Sequence, residues 1–308
     1  MSKPKVSVLV PIYGVEKYIE RCARSLFEQT LESIEYIFVD DCTKDKSVEI
    51  LSRVLNEYPN RKKQVLIHKM PQNVGQCGVR KWAIQHATGE FVIHCDSDDW
   101  VDTTMYEKMY SKAISEEADM VICDYYRTDG IINNYRKMTD SYKFMPQGPL
   151  WNKLVRRSVY ADKEIMYPLA NKAEDGTLIT QFYYYSKKIV NLHEPLYFYY
   201  INTDSICGNI SETSCVSKLH QEIVNLDVRI AFLKKQNIVN KYAKDVYLWK
   251  FYARENLSPL LDQIKYQKLY ESVFPYLDIK ILLRLDLPLG LKKTILMRFL
   301  QKISSYFK

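Results

Sequence analysis

The sequence predicts an α/β protein in which a mainly parallel sheet is flanked by helices and followed by a mostly helical C-terminal appendage. Residues 1–125 alternate compact apolar runs with segments whose apolar residues recur at helical spacing, and after residue 212 the spacing is mostly helical. Strands that alternate with helices are typical of a parallel sheet covered on both faces. The 308 residues, 47% of them apolar, suffice for a large α/β domain and an appendage.

Each element of the first part follows from its apolar pattern. Short continuous apolar runs are typical of strands that are buried on both faces. Such runs predict strands at 6–11, 36–39, 65–68, 91–95 and 120–123. Apolar residues at helical spacing predict helices at 15–27, 48–58, 76–87 and 105–114.

The rest of the chain is divided by composition. Residues 126–149 are polar and rich in turn residues, which predicts a loop over the ligand site. Residues 150–206 add further elements to the same domain. We therefore predict a catalytic or binding domain at 1–210 and a helical region at 211–308.

Three carboxylates follow the fourth predicted strand, in Asp96-Ser97-Asp98-Asp99. In open parallel sheets, ligands bind beyond the carboxyl ends of the strands. Acids this close repel one another unless a cation or hydrogen-bond donors satisfy them, and a hard divalent cation prefers oxygen ligands. The motif therefore indicates a metal site. The alternative is a solvated turn in which Asp99 or Asp102 caps the next helix.

The second strand ends in a pair of acids, Asp40-Asp41. A carboxylate at this edge can accept the imide N–H of a uracil base. The alternative, an Asx-turn or helix cap, is as well supported by the residues alone. Asp45 and Ser47 fit helix caps better than they fit ligand contacts.

Two further segments carry candidate site residues. Asn73-Val-Gly75-Gln-Cys-Gly78-Val-Arg80 places two glycines beside a helix start, where backbone N–H groups favour phosphate and Arg80 can reach a diphosphate. Glu174-Asp175 precedes an apolar helical run at 178–185. An acid pair there can be a first-turn helix charge or can supply a general base, and the residues alone leave both interpretations open.

Taken in order, these motifs resemble those of family 2 glycosyltransferases. The resemblance rests on the segments Val8-Leu-Val-Pro-Ile-Tyr13, Val39-Asp-Asp-Cys-Thr-Lys-Asp45, Asn73-x-Gly75 with Arg80, Asp96-Ser-Asp-Asp99 and Glu174-Asp175. The later segments Trp151-Asn-Lys-Leu and Leu196-Tyr-Phe-Tyr-Tyr-Ile-Asn are also similar. This resemblance covers about residues 5–206 and implies a GT-A fold and inversion at the anomeric carbon.

The resemblance also implies a role for each site residue. Pro11, Tyr13 and Asp41 would hold the nucleotide base, and Arg80 would lie in the nucleotide pocket. Asp96 would meet the ribose side and, with Asp98, a Mn²⁺ or Mg²⁺ ion. Asp175 would be the general base, with a nucleotide-sugar as donor. A UDP-sugar is the first candidate, and the residues leave the base open, since thymine shares the imide edge of uracil and guanine also offers N–H donors. The acceptor would be a hydroxyl of a glycan or a lipid-linked glycan.

The sequence departs from the family pattern at two positions. Gly14 stands where an Asn usually follows the first-strand Tyr, and Tyr200 stands where an Arg often follows the Leu-Tyr-x-Tyr segment. If that Arg normally contacts the diphosphate, another cation has to replace it. Lys153 and Lys172 are the candidates, against the alternative that each is an ordinary surface lysine.

Charge and cysteine content indicate the kind of ligand and the cellular compartment of the protein. The net charge of +7 and the pI near 8.8 fit an anionic ligand or an acidic membrane surface. Seven cysteines without a Cys-x-x-Cys pair favour a reducing compartment. The sequence contains no run long and apolar enough to cross a membrane, so we predict a cytoplasmic protein.

The end of the chain bears on membrane contact. Residues 279–308 have an apolar face and many Lys and Arg residues. Such a helix can lie peripherally on the inner face of the membrane, or it can dock on the protein's own core. Nucleic-acid binding is not predicted, because no basic-aromatic stripe crosses the predicted sheet.

Two other functions compete with glycosyl transfer. A nucleotidyltransferase also uses a metal site at a sheet edge, but it would normally place a glycine-rich basic loop after its first strand. Here Tyr13-Gly14-Val15-Glu16 is neither glycine-rich nor basic. A nucleotide-binding module that has lost catalysis is the non-enzymatic alternative, and the presence of both Asp98 and Asp175 argues against it.

Overall fold

A computed structural model describes residues 3–138, 148–202 and 211–274, together with Lys293, Leu296 and Met297. The chain divides into two compact units, Met1–Gly208 and Asn209–Lys308. Each unit is described by itself.

A single nine-stranded sheet organises the first unit. Its strands are β1 Val6–Ile12, β2 Ile34–Asp40, β3 Val65–Lys69, β4 Phe91–His94, β5 Trp100–Val101, β6 Met120–Thr128, β7 Asn133–Arg136, β8 Lys153–Arg156 and β9 Ile189–Tyr200. Their order is β3-β2-β1-β4-β8-β6-β9-β5, with β7 paired to β6 outside this path. The four strands β3-β2-β1-β4 are parallel, as is the β6-β9 pair.

Helices cover both faces of this sheet. They are α1 Ile19–Phe27, α2 Ser47–Glu57, α3 Gly75–His86, α4 Met105–Ser115, α5 Ser158–Ala161 and α6 Glu174–Tyr185. In β1, Val8 and Val10 pack in one layer with residues of α1, α2 and α4, whereas Leu9 packs in the other layer with residues of α3 and α6. All three side chains are at most 1% exposed. A strand with helices on both faces needs apolar residues on both, which explains the continuous apolar run.

The predicted α/β class and the mainly parallel sheet are confirmed, but two local predictions are wrong. The loop predicted at 126–149 is in part a hairpin, because β6 continues to Thr128 and pairs with β7. Tyr126 lies directly opposite Tyr135 there, and cross-strand aromatic pairs stabilise such a hairpin although the segment is polar. Within that range, residues 139–147 lie outside the described part. The first helix begins at Ile19 and not at residue 15, because Val15 accepts the N–H of Tyr18 in a turn.

The second unit is helical in its described residues, as predicted for the appendage. It contains α7 Glu212–Lys235, α8 Ala243–Glu255 and α9 Ile264–Ser272. Cys215 and Leu219 of α7 are buried in one apolar cluster with Leu257 and with Tyr270 of α9. The helix predicted at 279–308 lies outside the described residues, except for the three named above, which are helical and exposed. In the part of the chain that the structure describes, no helix has the length and apolarity to cross a membrane.

Candidate active site

The carboxyl ends of three neighbouring strands form the edge that carries the candidate site. Ile12 of β1 is paired with Asp40 of β2, and Leu9 of β1 is paired with His94 of β4. Tyr13, Asp41 and Asp96 follow these strands and therefore emerge at the same edge. Pro11 is half-buried within β1, whereas the Tyr13 side chain is 55% exposed and available for stacking.

Asp41 is buried and bonded to the start of α3. Its two carboxylate oxygens accept the backbone N–H groups of Val74 (2.7 Å) and Gly75 (2.9 Å). Burial raises the pKa of Asp41, although these two hydrogen bonds oppose the shift. The neighbouring Asp40 makes the Asx-type contact foreseen as an alternative, since its carboxylate accepts the N–H of Thr43 at 2.7 Å.

Side chains of the protein itself accept the backbone N–H groups at the start of α3. Gly75 has φ +72°, a conformation that favours glycine, and a Cβ at this position would lie 2.4 Å from the Asn171 side chain. The same Asn171 side chain accepts the N–H of Cys77 at 3.2 Å. In this conformation Asp41 and Asn171 take up the N–H groups that the sequence predicted for a phosphate.

The acidic motif after β4 divides into two structural roles. Asp99 is 1% exposed, and its carboxylate accepts the Tyr197 hydroxyl at 2.6 Å and the Tyr200 N–H at 2.7 Å. It therefore fastens the motif to β9. Asp98 accepts a hydrogen bond from Asn202 at 3.2 Å, and burial, with the negative charge of Asp96 beside it, raises its pKa.

A cation that the sequence did not reveal lies beside this motif. The Arg21 guanidinium of α1 is stacked over Trp100 at 3.6 Å and lies 4.8 Å from the Tyr200 ring centroid. One of its N–H groups donates to the backbone carbonyl of Asp98 at 3.1 Å. Tyr200, at the position where the family pattern often has Arg, thus contacts an Arg supplied by another element.

Arg80 brings the acids of two distant segments together. Its guanidinium lies 2.9 Å from the Asp96 carboxylate, 3.6 Å from Glu174 and 3.7 Å from Asp175, and its side chain is only 2% exposed. Arg80 was predicted in the nucleotide pocket, and the structure places it among these three carboxylates. Because α3 carries Arg80 five residues after Gly75, the same helix joins this cluster to Asp41.

The pKa values of Glu174 and Asp175, the acid pair at the start of α6, are both raised. Burial, followed by the charge of Asp175, raises the pKa of Glu174 to about 8. Burial also raises the pKa of Asp175, and the nearby Arg80 opposes that shift. The Asp175 side chain is 25% exposed, although its Oδ1 atom is buried.

A turn before β8 positions Asp175 from the other side. The N–H of Leu150 donates to the Asp175 carboxylate at 3.2 Å. The buried Lys153 ammonium holds this turn, because it donates to the Pro149 carbonyl (2.6 Å) and to Asn152 (2.9 Å). Burial lowers the pKa of Lys153 to about 8. These bonds give Lys153 a structural role in place of the diphosphate contact considered from the sequence.

Sequence reasoning missed Arg21, Asn171, Tyr197 and Asn202. Tyr197 and Asn202 belong to the segment Leu196-Tyr-Phe-Tyr-Tyr-Ile-Asn, which was recognised as a family motif without roles for its residues. Arg21 and Asn171 gave no signal, since a lone Arg on a helix and a lone Asn in a loop are ordinary surface residues.

A family profile and two relatives found by sequence comparison all carry glycosyltransferase names. The family profile described as glycosyl transferase family 2 matches residues 7–216. EpsH of Bacillus subtilis (strain 168), which carries a glycosyltransferase name, is 31% identical over 265 residues that cover 80% of this chain and 74% of EpsH. Glycosyltransferase GlyA of Streptococcus pneumoniae serotype 4 (strain ATCC BAA-334 / TIGR4) is 26% identical over 74% of this chain, but only 34% of its own length is matched.

Solved structures share the fold. S. aureus TarS 1–349 in complex with UDP-GlcNAc superposes with a TM-score of 0.71 at 20% identity, covering 90% of this chain and 84% of that one. Mannosyltransferase PcManGT from Pyrobaculum calidifontis, in complex with GDP-Man and Mn²⁺, gives 0.55 at 13% identity, covering 87% and 79%. The predicted GT-A type of fold is thereby confirmed.

Proposed function

The chain belongs to glycosyl transferase family 2 and is a glycosyltransferase, and from this premise we propose that it moves a sugar from a UDP-sugar with inversion. The acceptor is a hydroxyl of a glycan or of a lipid-linked glycan. We assign the reaction to residues 1–210 and treat 211–308 as an appendage. The observation that carries the proposal is the Arg80 cluster, because it gathers acids from two distant segments at one sheet edge.

Base recognition is assigned to the edge formed by β1 and β2. The exposed Tyr13 ring can stack on a pyrimidine, with Pro11 behind it in β1. Each oxygen of the Asp41 carboxylate accepts one backbone N–H, and a carboxylate oxygen has a second lone pair for an imide N–H of the base. Among the fold neighbours, TarS was solved with UDP-GlcNAc, which supports a uridine donor here, and PcManGT was solved with GDP-Man.

The acids after β4 fit a divalent cation. Asp98 is half-buried beside Asp96 with a raised pKa, and a nearby cation would relieve the repulsion between the two carboxylates. Asp98 and Asp96 would hold Mn²⁺ or Mg²⁺, whose chemistry is to neutralise charge on the departing diphosphate. Among the described residues, no group of three or more His, Cys, Asp or Glu side chains is arranged to hold a metal. Oxygens of the donor phosphates are further ligands of the kind that such a cation prefers.

Asp175 is assigned as the general base. At neutral pH Glu174 carries a proton, since burial raises its pKa to about 8, whereas the Arg80 cation and the Leu150 N–H favour the anion of Asp175. Its own pKa is raised by burial, which makes it a stronger base. The acceptor oxygen bonds to the anomeric carbon, its proton passes to Asp175, and the diphosphate leaves from the opposite face with the bonding electron pair.

Asp175→Asn tests this assignment. We expect the variant to bind the UDP-sugar with unchanged affinity by calorimetry and to lose transfer by at least about a hundredfold, the usual contribution of a general base. Asp262→Asn, a change at an exposed aspartate of the second unit, is the matched control. Turnover near the wild-type value in Asp175→Asn would remove Asp175 from the mechanism.

The products distinguish this function from its alternatives. Release of UDP with a new glycosidic bond of inverted configuration supports glycosyl transfer, and a panel of UDP-, GDP- and dTDP-sugars, each with and without Mn²⁺, identifies the donor. Release of pyrophosphate would instead indicate a nucleotidyltransferase. Nucleotide binding without any product would indicate a binding module.

A further inference from the structure

The hairpin formed by β6 and β7 exposes two large apolar side chains at its tip. Ile131 is 90% exposed and Ile132 is 60% exposed. They follow Gly130 in the turn between Thr128 and Asn133, which are the last paired residues of the hairpin. Exposure of two adjacent isoleucine side chains to water is unfavourable in free energy. Exposed apolar patches of this kind mark surfaces that contact a protein or a membrane.

Hydrogen bonds to aspartates hold the backbone of the tip and the strand below it. The Asp129 carboxylate accepts the N–H groups of Ile131 (2.9 Å) and Ile132 (2.8 Å), so these backbone groups need no water. Below the tip, the Tyr135 hydroxyl donates to the buried Asp124 carboxylate at 2.5 Å. A less polar environment around the two isoleucines therefore leaves their backbone N–H groups paired.

The hairpin carries three exposed basic side chains, with Arg127 beside the tip and Arg136 and Lys137 at the other end of β7. Arg127, Arg136 and Lys137 are all exposed, against a single acid, Asp129, in residues 127–137. Two isoleucines with flanking cations match the interface of an anionic bilayer, where apolar groups enter the acyl boundary and cations remain at the headgroups.

The hairpin is also close to the candidate site. A Cβ at Gly130 would lie 3.7 Å from the Tyr200 ring and 4.0 Å from the Arg21 guanidinium. Arg21 in turn donates to the backbone of Asp98. A surface that contacts the tip would therefore lie beside the metal-binding edge.

We propose that the tip at residues 129–132, with Arg127, Arg136 and Lys137, docks the first unit on an anionic membrane surface. This contact is separate from the one predicted for residues 279–308. It depends only on the exposure and charge of the hairpin, so it does not require the proposed transfer reaction. If that reaction holds, docking here brings the site close to a lipid-linked glycan in the membrane.

Co-sedimentation of the full chain with phosphatidylglycerol vesicles tests the proposal, with phosphatidylcholine vesicles as the uncharged comparison. Ile131→Ser combined with Ile132→Ser should weaken partitioning by at least about tenfold, because most of the apolar contact is lost. Arg127→Gln combined with Arg136→Gln should weaken it by about tenfold on phosphatidylglycerol and little on phosphatidylcholine. Ile264→Ser, at an isoleucine of α9 that is 69% exposed, is the matched control and should bind as the wild type does.

Unfolding midpoints in urea show whether each variant is folded. Wild-type chain that fails to sediment with phosphatidylglycerol vesicles overturns the proposal, as does undiminished binding by both hairpin variants. An equal loss in Ile264→Ser would also refute it, because the effect would not be specific to the hairpin. If sedimentation velocity without vesicles shows a dimer that the isoleucine variant abolishes while vesicle binding persists, the tip docks a second copy instead.

Discussion

Replacing Arg80 by methionine leaves Asp96, Glu174 and Asp175 without the guanidinium that they share. At an effective dielectric constant of about 20, the Arg80 cation attracts the carboxylates of Asp96, 2.9 Å away, and Asp175, 3.7 Å away, by about 4–6 kcal/mol per pair. Desolvation of the ions offsets most of this attraction. Removing one partner of a buried pair nevertheless costs about 3–5 kcal/mol, because the remaining charges stay buried. We expect the variant to lose that much free energy of unfolding.

An exposed ion pair provides the comparison. Arg53 lies 2.6 Å from Glu20, closer than any of the Arg80 contacts, but the two side chains are 62% and 43% exposed. Solvent screens such a pair, so Arg53→Met should cost less than about 1 kcal/mol. Burial, and not the distance between the charges, decides the difference between the two variants.

The Arg80→Met loss should depend on pH. Glu174 has a folded-state pKa of about 8, above its ordinary value of 4.5, so its contribution to stability is present at low pH and is lost as pH rises through the folded pKa. Arg80 lowers that pKa, and its removal raises it further, as it does for Asp175. The free energy of unfolding that Arg80→Met loses should therefore be about 1–3 kcal/mol larger at pH 9 than at pH 6. Each proton contributes up to about 1.4 kcal/mol per pH unit to this difference.

Urea unfolding followed by intrinsic fluorescence measures both effects. Wild type, Arg80→Met and Arg53→Met are compared at pH 6 and pH 9. Equal midpoints for the two variants, or an Arg80→Met loss that is the same at both pH values, would refute the account of Arg80 as the shared counter-ion.

Three further variants test neighbouring contacts by urea unfolding. Tyr197→Phe leaves buried Asp99 without its hydroxyl donor and should cost about 1–3 kcal/mol, so an unchanged midpoint would contradict that bond. Gly75→Ala combines φ +72° with a Cβ placed against Asn171 and should cost about 1–3 kcal/mol, which a neutral result would refute. Lys153 has a lowered folded pKa of about 8, so it disfavours the fold below that value and this penalty fades from pH 8 toward 10.5. The free energy of unfolding of the wild type should therefore rise relative to that of Lys153→Met as the pH increases from about 8 to 10.5. A difference that does not change with pH would contradict the lowered pKa of Lys153.

Much of the fold was accessible from the sequence because its elements are locally specified. The apolar run of β1 and the helical spacing of α2 and α4 each predicted the element to within a few residues. The hairpin of β6 and β7 was not predicted, because its residues do not specify it locally. Aromatic cross-strand pairs such as Tyr126 with Tyr135 stabilise it, although the composition of the segment is that of a loop.

The site divides in the same way. The sequence by itself determined which acids follow the strands, since Asp41 and Asp96 come directly after buried runs whose carboxyl ends meet in any parallel sheet. It did not show that Arg80 would join Asp96 to Asp175, that Arg21 would lie against Tyr200, or that Asp41 would bond to α3. Only the tertiary structure decided these contacts. An ion pair or a hydrogen bond depends on distance and burial, and both are fixed when segments far apart in the chain pack against the same sheet.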